Sequence, residues 1–166
     1  SQRTPLGRMA KKEDLQGALK EFQAVLELEP NEIGALFNSG VIYRQLKKLD
    51  ESVGMFQRLI VLDPRNPEVY LRLGALYLEM DKLVESSRAL EKVIALGKDS
   101  PQAKQAEALL VDMRSKYGDK LTVARKFADQ RDSYQETLTA NPDDSVTHFN
   151  LGLLYARHAM SDEALR

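Results

Sequence analysis

The stretch LFNSGVIYRQL, Leu36 to Leu46, returns in outline as YLRLGALYLEM, Tyr70 to Met80, and again as HFNLGLLYARH, His148 to His158. Each copy places a glycine three residues before a tyrosine at the same point of an apolar pattern. Gly40 and Gly74 lie 34 residues apart, and one offset also joins Tyr43 to Tyr77, Ser52 to Ser86 and Pro30 to Pro64. A fixed period of about 20–50 residues means stacked structural units in place of a single layered core.

One unit reads Leu36, Ser39, Gly40 and Tyr43, then Ser52, Phe56 and Pro64. The next reads Tyr70, Leu73, Gly74 and Tyr77, then Ser86 and Leu90, with Lys98 where proline would fall. This spacing predicts two amphipathic helices per unit, the proline closing the exit of the second. Glycine inside a helix costs about 1 kcal/mol relative to alanine, so it recurs where something compensates. Without a Cβ it lets a partner helix approach, and the tyrosine is expected to fill the space one turn further on. Ser52, Ser86 and Ala164 are the small residues expected on the opposing helix.

The pattern resembles the tetratricopeptide repeat family, whose 34-residue unit carries a large residue, Leu-Gly, Tyr, Ala, Phe and Pro at fixed spacing. Ala18, Phe22 and Pro30 match the second-helix half ahead of the first full unit. His148, Leu151, Gly152, Tyr155 and Ala164 match a first helix and the opening of a second. The resemblance implies an all-α fold, a right-handed superhelical solenoid of antiparallel helix pairs. Its expected organisation is a second helix of a partial repeat over 10–30, repeats over 31–64 and 65–98, an irregular lengthened repeat over 99–142 and an incomplete repeat over 143–166.

The lengthened repeat follows from the break in register, since Lys98 to Pro142 spans 44 residues. Ser100 before Pro101 predicts a helix start, and Ala106, Leu109 and Met113 continue one face to Tyr117. Gly118 and Asp119 predict a turn, after which Leu121, Ala124, Phe127, Tyr134 and Leu138 line another helix. The two form a lengthened hairpin expected to protrude. The alternative sets Gly118 at the repeat's glycine position, which puts Arg114 and Gln130 where a large apolar and a small residue belong. About nine residues precede the first second-helix segment, too few for a complete first helix. Incomplete ends expose apolar faces, which makes head-to-tail association, and hence a homo-oligomer, an expectation.

Composition narrows the function classes. Lys and Arg number 24 against 25 Asp and Glu, giving no electrostatic reason to expect nucleic acid or anionic lipid. With 43% hydrophobic and 30% charged residues the chain reads as a soluble folded protein. The absence of cysteine excludes disulfides and thiolate metal sites. Apolar runs fall far short of the roughly 20 residues of a membrane-spanning helix, so no direct membrane insertion is expected. The N-terminal stretch SQRTPLGRMAKKEDL lacks the apolar core of a signal peptide; composition sets no compartment, and the cytoplasm is the default expectation.

Catalysis has no evident home. His148 and His158, the two histidines, would sit about 80° apart on one helix, without an acidic residue at Glu-x-x-His spacing. His148 occupies a position that wants a large packing residue. Ser39, Ser52 and Ser86 hold repeat packing positions, Asp143 and Asp144 read as turn and capping residues, and the glycines are spread through helices instead of forming a phosphate loop. The expectation is a non-enzyme with no cofactor and no metal.

In the family the first helices line a concave groove. The resemblance places Phe37, Asn38, Val41 and Arg44 there from one unit, and Glu68, Leu71, Arg72, Ala75, Leu78 and Glu79 from the next. The last unit adds Phe149, Asn150, Leu153 and Arg157. Such a surface suits a peptide or an amphipathic helix of a protein partner, with Arg44, Arg72 and Arg157 meeting acidic groups. For Phe37 and Leu71, packing against a neighbouring helix is the plainer reading. A cochaperone-type clamp for acidic C-terminal tails would use Asn38 and Arg72, but Glu68 stands where a lysine belongs and Gly7 where an asparagine belongs. The remaining alternatives are a structural assembly unit joined through its ends or hairpin, and an array that recruits substrates for an enzyme.

Overall fold

The computed structural model describes the backbone of residues 5–165 and the side chains of residues 11–160. Among these residues every regular element is an α-helix: α1 (Pro5–Leu28), α2 (Ile33–Gln45), α3 (Leu49–Leu62), α4 (Pro67–Glu79), α5 (Leu83–Leu96), α6 (Pro101–Ala140) and α7 (Ser145–Leu165). The fold is thus the expected all-α helical repeat. The chain divides into two compact units, one running through Leu109 and the other from Leu110, so the boundary falls inside α6.

In the first unit α2 pairs with α3 and α4 with α5. Each pair is joined by a three-residue linker whose middle residue is left-handed, Lys47 at φ 62° and Asp81 at φ 56°. The N–H groups of Lys48 and Lys82 return to the carbonyls of Tyr43 and Tyr77, both at 2.8 Å. This closes the helix end by satisfying an otherwise orphaned carbonyl. A left-handed L-residue costs about 1–2 kcal/mol, and its recurrence at one register implies that hairpin packing offsets it. The starts of α2, α4 and α6 are capped by side chains, those of α3 and α5 are not. Asn66 Oδ1 accepts from Glu68 N at 3.1 Å ahead of α4, and Ser100 Oγ accepts from Ala103 N at 3.0 Å ahead of α6, with Pro101 the first helical residue as the sequence predicts.

The repeated glycines lie where the paired helices touch. A Cβ on Gly40 would come within 2.8 Å of the Phe56 ring, and one on Gly74 within 2.5 Å of Leu90 Cδ2. Phe56 is 1% exposed and Leu90 is 0% exposed, so neither side chain has room to yield. Ser52 Oγ donates to Gly40 O at 2.6 Å and Ser86 Oγ donates to Gly74 O at 2.7 Å, so these positions are small and also hydroxylic. Phe56 and Leu90, not the tyrosines, fill the space over the glycines. Tyr43 and Tyr77 instead reach back to the preceding second helix, their hydroxyls accepting from Gln23 Nε2 at 2.8 Å and Gln57 Nε2 at 2.9 Å. Around Phe56 gather Leu36, Val53, Leu59, Val69, Leu73, Leu76 and Ala89, the core of this unit. Each such large side chain contributes about 1.5–3 kcal/mol by leaving water.

In the second unit α7 packs against the latter part of α6. The Phe127 ring stacks on His158 with centroids 3.7 Å apart and meets Tyr155 edge-on at 5.8 Å. Helix α6 breaks at Gly118, where φ is 37° and ψ is −115°. No loop intervenes: Asp119, expected in a turn, is already helical. A Cβ at Gly118 would meet nothing within 4 Å, so this glycine permits a backbone bend and is not a packing glycine like Gly40. Asp144 opens α7, its carboxylate accepting from Thr147 N at 3.0 Å. That bond, foremost, holds the Asp144 carboxyl below its ordinary range. A lowered folded value means that its stabilisation is present at neutral pH and is lost as the pH falls through that value.

Both ends depart from the sequence reading. Helix α1 begins at Pro5, ahead of the expected residue 10, and α7 runs to Leu165 without the predicted turn into a second helix. At the register of Lys47 and Asp81 this helix carries Ala159, the residue type that most favours helix continuation. Gly7 and Ala164 lie outside the residues whose side chains are described.

Gly40→Ala and Gly74→Ala should each lower the unfolding free energy by about 1–3 kcal/mol through overpacking, despite the better helix propensity of alanine. Urea denaturation checks this, with the midpoint falling and the slope unchanged.

Candidate interaction surface

Helices α2 and α4 carry the groove residues of the first unit, each brought one helical turn apart on one face. Val41, Arg44, Arg72 and Ala75, all expected from the sequence, line a single depression of about 220 Å³ together with Gln45, Phe56 and Leu76. Its floor is apolar and its rim is guanidinium. Phe37 packs edge-on against Phe56 at 5.7 Å and lies beneath Arg72, 4.9 Å from guanidinium carbon to ring centroid, a cation–π contact. Leu78 is half-buried. Leu71 is only 7% exposed and belongs to the packed interior, which is the plainer of the two readings of that position.

The arginines are not waiting with open charges. Arg44 Nη2 pairs with Glu79 across the two helices, and Arg72 Nε pairs with Glu68 Oε1 at 3.2 Å within α4. Gln102 Nε2 lies 3.5 Å from the other Glu68 oxygen. Asn38 Nδ2 donates to Gly34 O at 2.7 Å on its own helix. A clamp for terminal carboxylates is therefore not assembled by these residues: Glu68 already takes the charge of Arg72, and Asn38 is turned to its own backbone.

The remaining expected residues stand on α7, in the second unit. Phe149 is 68% exposed, Leu153 and Arg157 are exposed, and Asn150 is half-buried. Arg157 lines a separate depression of about 300 Å³ with Val123, Lys126, Phe127, Gln130, Leu154 and His158. His148, expected to pack, is exposed, and its Nε2 donates to Pro142 O at 2.8 Å. Tyr70 does the same one repeat type earlier, donating to Pro64 O at 2.9 Å, while Pro30 O accepts from Arg58 Nη2 at 2.6 Å. The proline carbonyls at the repeat ends each receive a side-chain donor, a role the sequence pattern hides because three residue types fill it.

Among the described residues no group of three or more His, Asp or Glu is placed to hold a metal ion, and no helix is long and apolar enough to cross a membrane.

A family model described as TPR repeat matches residues 40–81. Among solved structures the chain is similar to MamA, at 23% identity and a TM-score of 0.56, over 99% of this chain and 91% of that one. A second MamA structure agrees at 24% identity and a TM-score of 0.56, over 95% and 81%. A tetratricopeptide repeat protein from Parabacteroides merdae aligns at 19% identity and a TM-score of 0.58, over 98% of this chain and 65% of that one. These likenesses concern the fold. No curated protein matches the chain.

The Arg44–Glu79 pair is half exposed, and such pairs contribute about 0–1 kcal/mol. Glu79→Gln should accordingly change the unfolding free energy by less than about 1 kcal/mol, measured by urea denaturation, while freeing Arg44 for an incoming carboxylate.

Proposed function

We propose that this chain, a tetratricopeptide-repeat protein by its 40–81 segment and its fold, is a non-catalytic protein-interaction module. The α2–α4 face receives a short segment of a protein partner. One apolar side chain of that segment enters the depression floored by Val41, Ala75, Leu76 and Phe56, and an acidic residue beside it exchanges with Glu79 or Glu68 for the rim arginine. The observation that carries this reading is the joining of an apolar floor to two guanidinium groups in one concave site, the arrangement that orients an amphipathic ligand. The exchange is feasible on energetic grounds, because the ion pair displaced is worth so little and the new one forms around a desolvated anchor. Affinity then rests on the anchor, and the arginines add selectivity and association rate.

Ala75→Glu tests the site, since Ala75 lines the depression without belonging to the buried core, and a longer acidic side chain there both fills the space and occupies the arginines. In a peptide-display selection against the purified chain, enrichment of sequences pairing a large apolar residue with a nearby carboxylate is expected. Those peptides should bind Ala75→Glu at least tenfold more weakly, at unchanged helical content. Equal binding to the variant, or enrichment of sequences lacking carboxylates, contradicts the reading.

A further inference from the structure

The two arginines that border the α2–α4 depression are held unequally. Arg72 lies over the Phe37 ring, 4.9 Å from its centroid, and its Nε bonds Glu68 Oε1 at 3.2 Å. Phe37 packs in turn against Phe56, the side chain that sits on Gly40, so this guanidinium is tied to the contact that sets the helix pair. Glu68 is itself well placed. It stands in the first turn of α4, beside the positive end of the helix dipole, and four residues ahead of its arginine, the preferred order for such a pair. Gln102 Nε2, at the start of α6, stands 3.5 Å from its other oxygen.

Arg44 has one side-chain partner among the described residues, Glu79 on α4. Glu79 is the last residue of that helix, at the negative end of the dipole, where a carboxylate is disfavoured. Arg44, in the last turn of α2, is where a cation is favoured. The pair therefore joins a well-placed arginine to a badly placed glutamate, and a carboxylate arriving from outside is not fixed at the helix end. Access differs in the same sense, since the Arg44 side chain is 50% exposed and that of Arg72 38%. Releasing Arg44 breaks one exposed ion pair, whereas releasing Arg72 breaks an ion pair and a cation–π contact together.

We infer that Arg44 alone receives the partner's carboxylate, displacing Glu79, and that Arg72 with Phe37 is a fixed wall of the depression. The assignment rests on the peptide-binding reading and gives it a direction. The acidic residue of the bound segment lies toward the C-terminal ends of α2 and α4, where Arg44 stands, and its apolar anchor lies against Val41, Ala75 and Leu76. The selecting residue is thus not Arg72, the one a cochaperone-type clamp would use. Arg72 is a positioning residue, which shapes the site for any ligand without choosing between an acidic and a neutral one.

The test takes an acidic peptide from the display selection and the same peptide with glutamine in place of its acidic residue. Each is titrated by calorimetry into the wild type, Arg44→Gln, Arg72→Gln and Glu79→Gln. The quantity read is the ratio of the two dissociation constants on one protein, so a change in that protein's stability affects both peptides alike. The wild type should prefer the acidic form by about threefold or more. Arg44→Gln should bring the ratio to about one, while Arg72→Gln should weaken both forms and keep the ratio. Glu79→Gln should raise the ratio further, by up to about fivefold, because the internal competitor is gone. A ratio that persists in Arg44→Gln, or that collapses in Arg72→Gln as well, would overturn the assignment and leave the peptide-binding reading standing. A wild-type ratio near one, or a selection that yields no acidic peptide, would overturn that reading and the assignment with it.

Discussion

A bulky side chain of one helix seated on the bare backbone of a glycine in its partner is the contact on which this protein depends. Phe56 over Gly40 and Leu90 over Gly74 set how closely each helix pair can approach, and the approach in turn brings a serine hydroxyl onto the glycine carbonyl. The left-handed residues at Lys47 and Asp81 are tolerated because the pairs they join are already held at that distance. Close packing of this kind makes the pair a discrete state and not a sliding one, since a fully buried ring cannot adapt to even one added methyl group.

That discreteness is what the proposed recognition role of the α2–α4 face requires. Val41, Arg44, Arg72 and Ala75 come from two helices separated by a third, and their convergence on one depression follows from the repeat geometry and from no local feature of either helix. The glutamates beside the arginines refine the picture: they hold the guanidinium groups beside the apolar lining at little energetic consequence, and under the proposed function a partner's carboxylate would compete with these weak intramolecular pairs.

Much of this was legible in the sequence because the fold is periodic. An offset of 34 residues sufficed to place α2 to α5, and local chemistry sufficed for Ser100 with Pro101 and for the break at Gly118. What stayed hidden depends on contacts across repeats. The Tyr43 hydroxyl finds Gln23, and Arg44 finds Glu79, only once the stacking register is known. Serine at 52 reads as merely small, since its role as donor appears only when the glycine carbonyl is beside it. Leu71 and Phe37 share a repeat position yet differ in burial, because exposure at such a position is set by the neighbouring elements and not by the motif. The straight course of α7 was missed because the motif match at Ala164 outweighed the local helix preference at Ala159.

The central claim, that the glycine notch and its bulky key specify the helix pair, is tested most directly by a double-mutant cycle of Gly40→Ala and Phe56→Leu, read as unfolding free energies in urea. The account predicts strong coupling, above about 1 kcal/mol, with the smaller key relieving much of the damage done by the added methyl group. Additivity of the two substitutions would contradict it, since the methyl group would then be harmful for reasons unrelated to the ring it was supposed to meet.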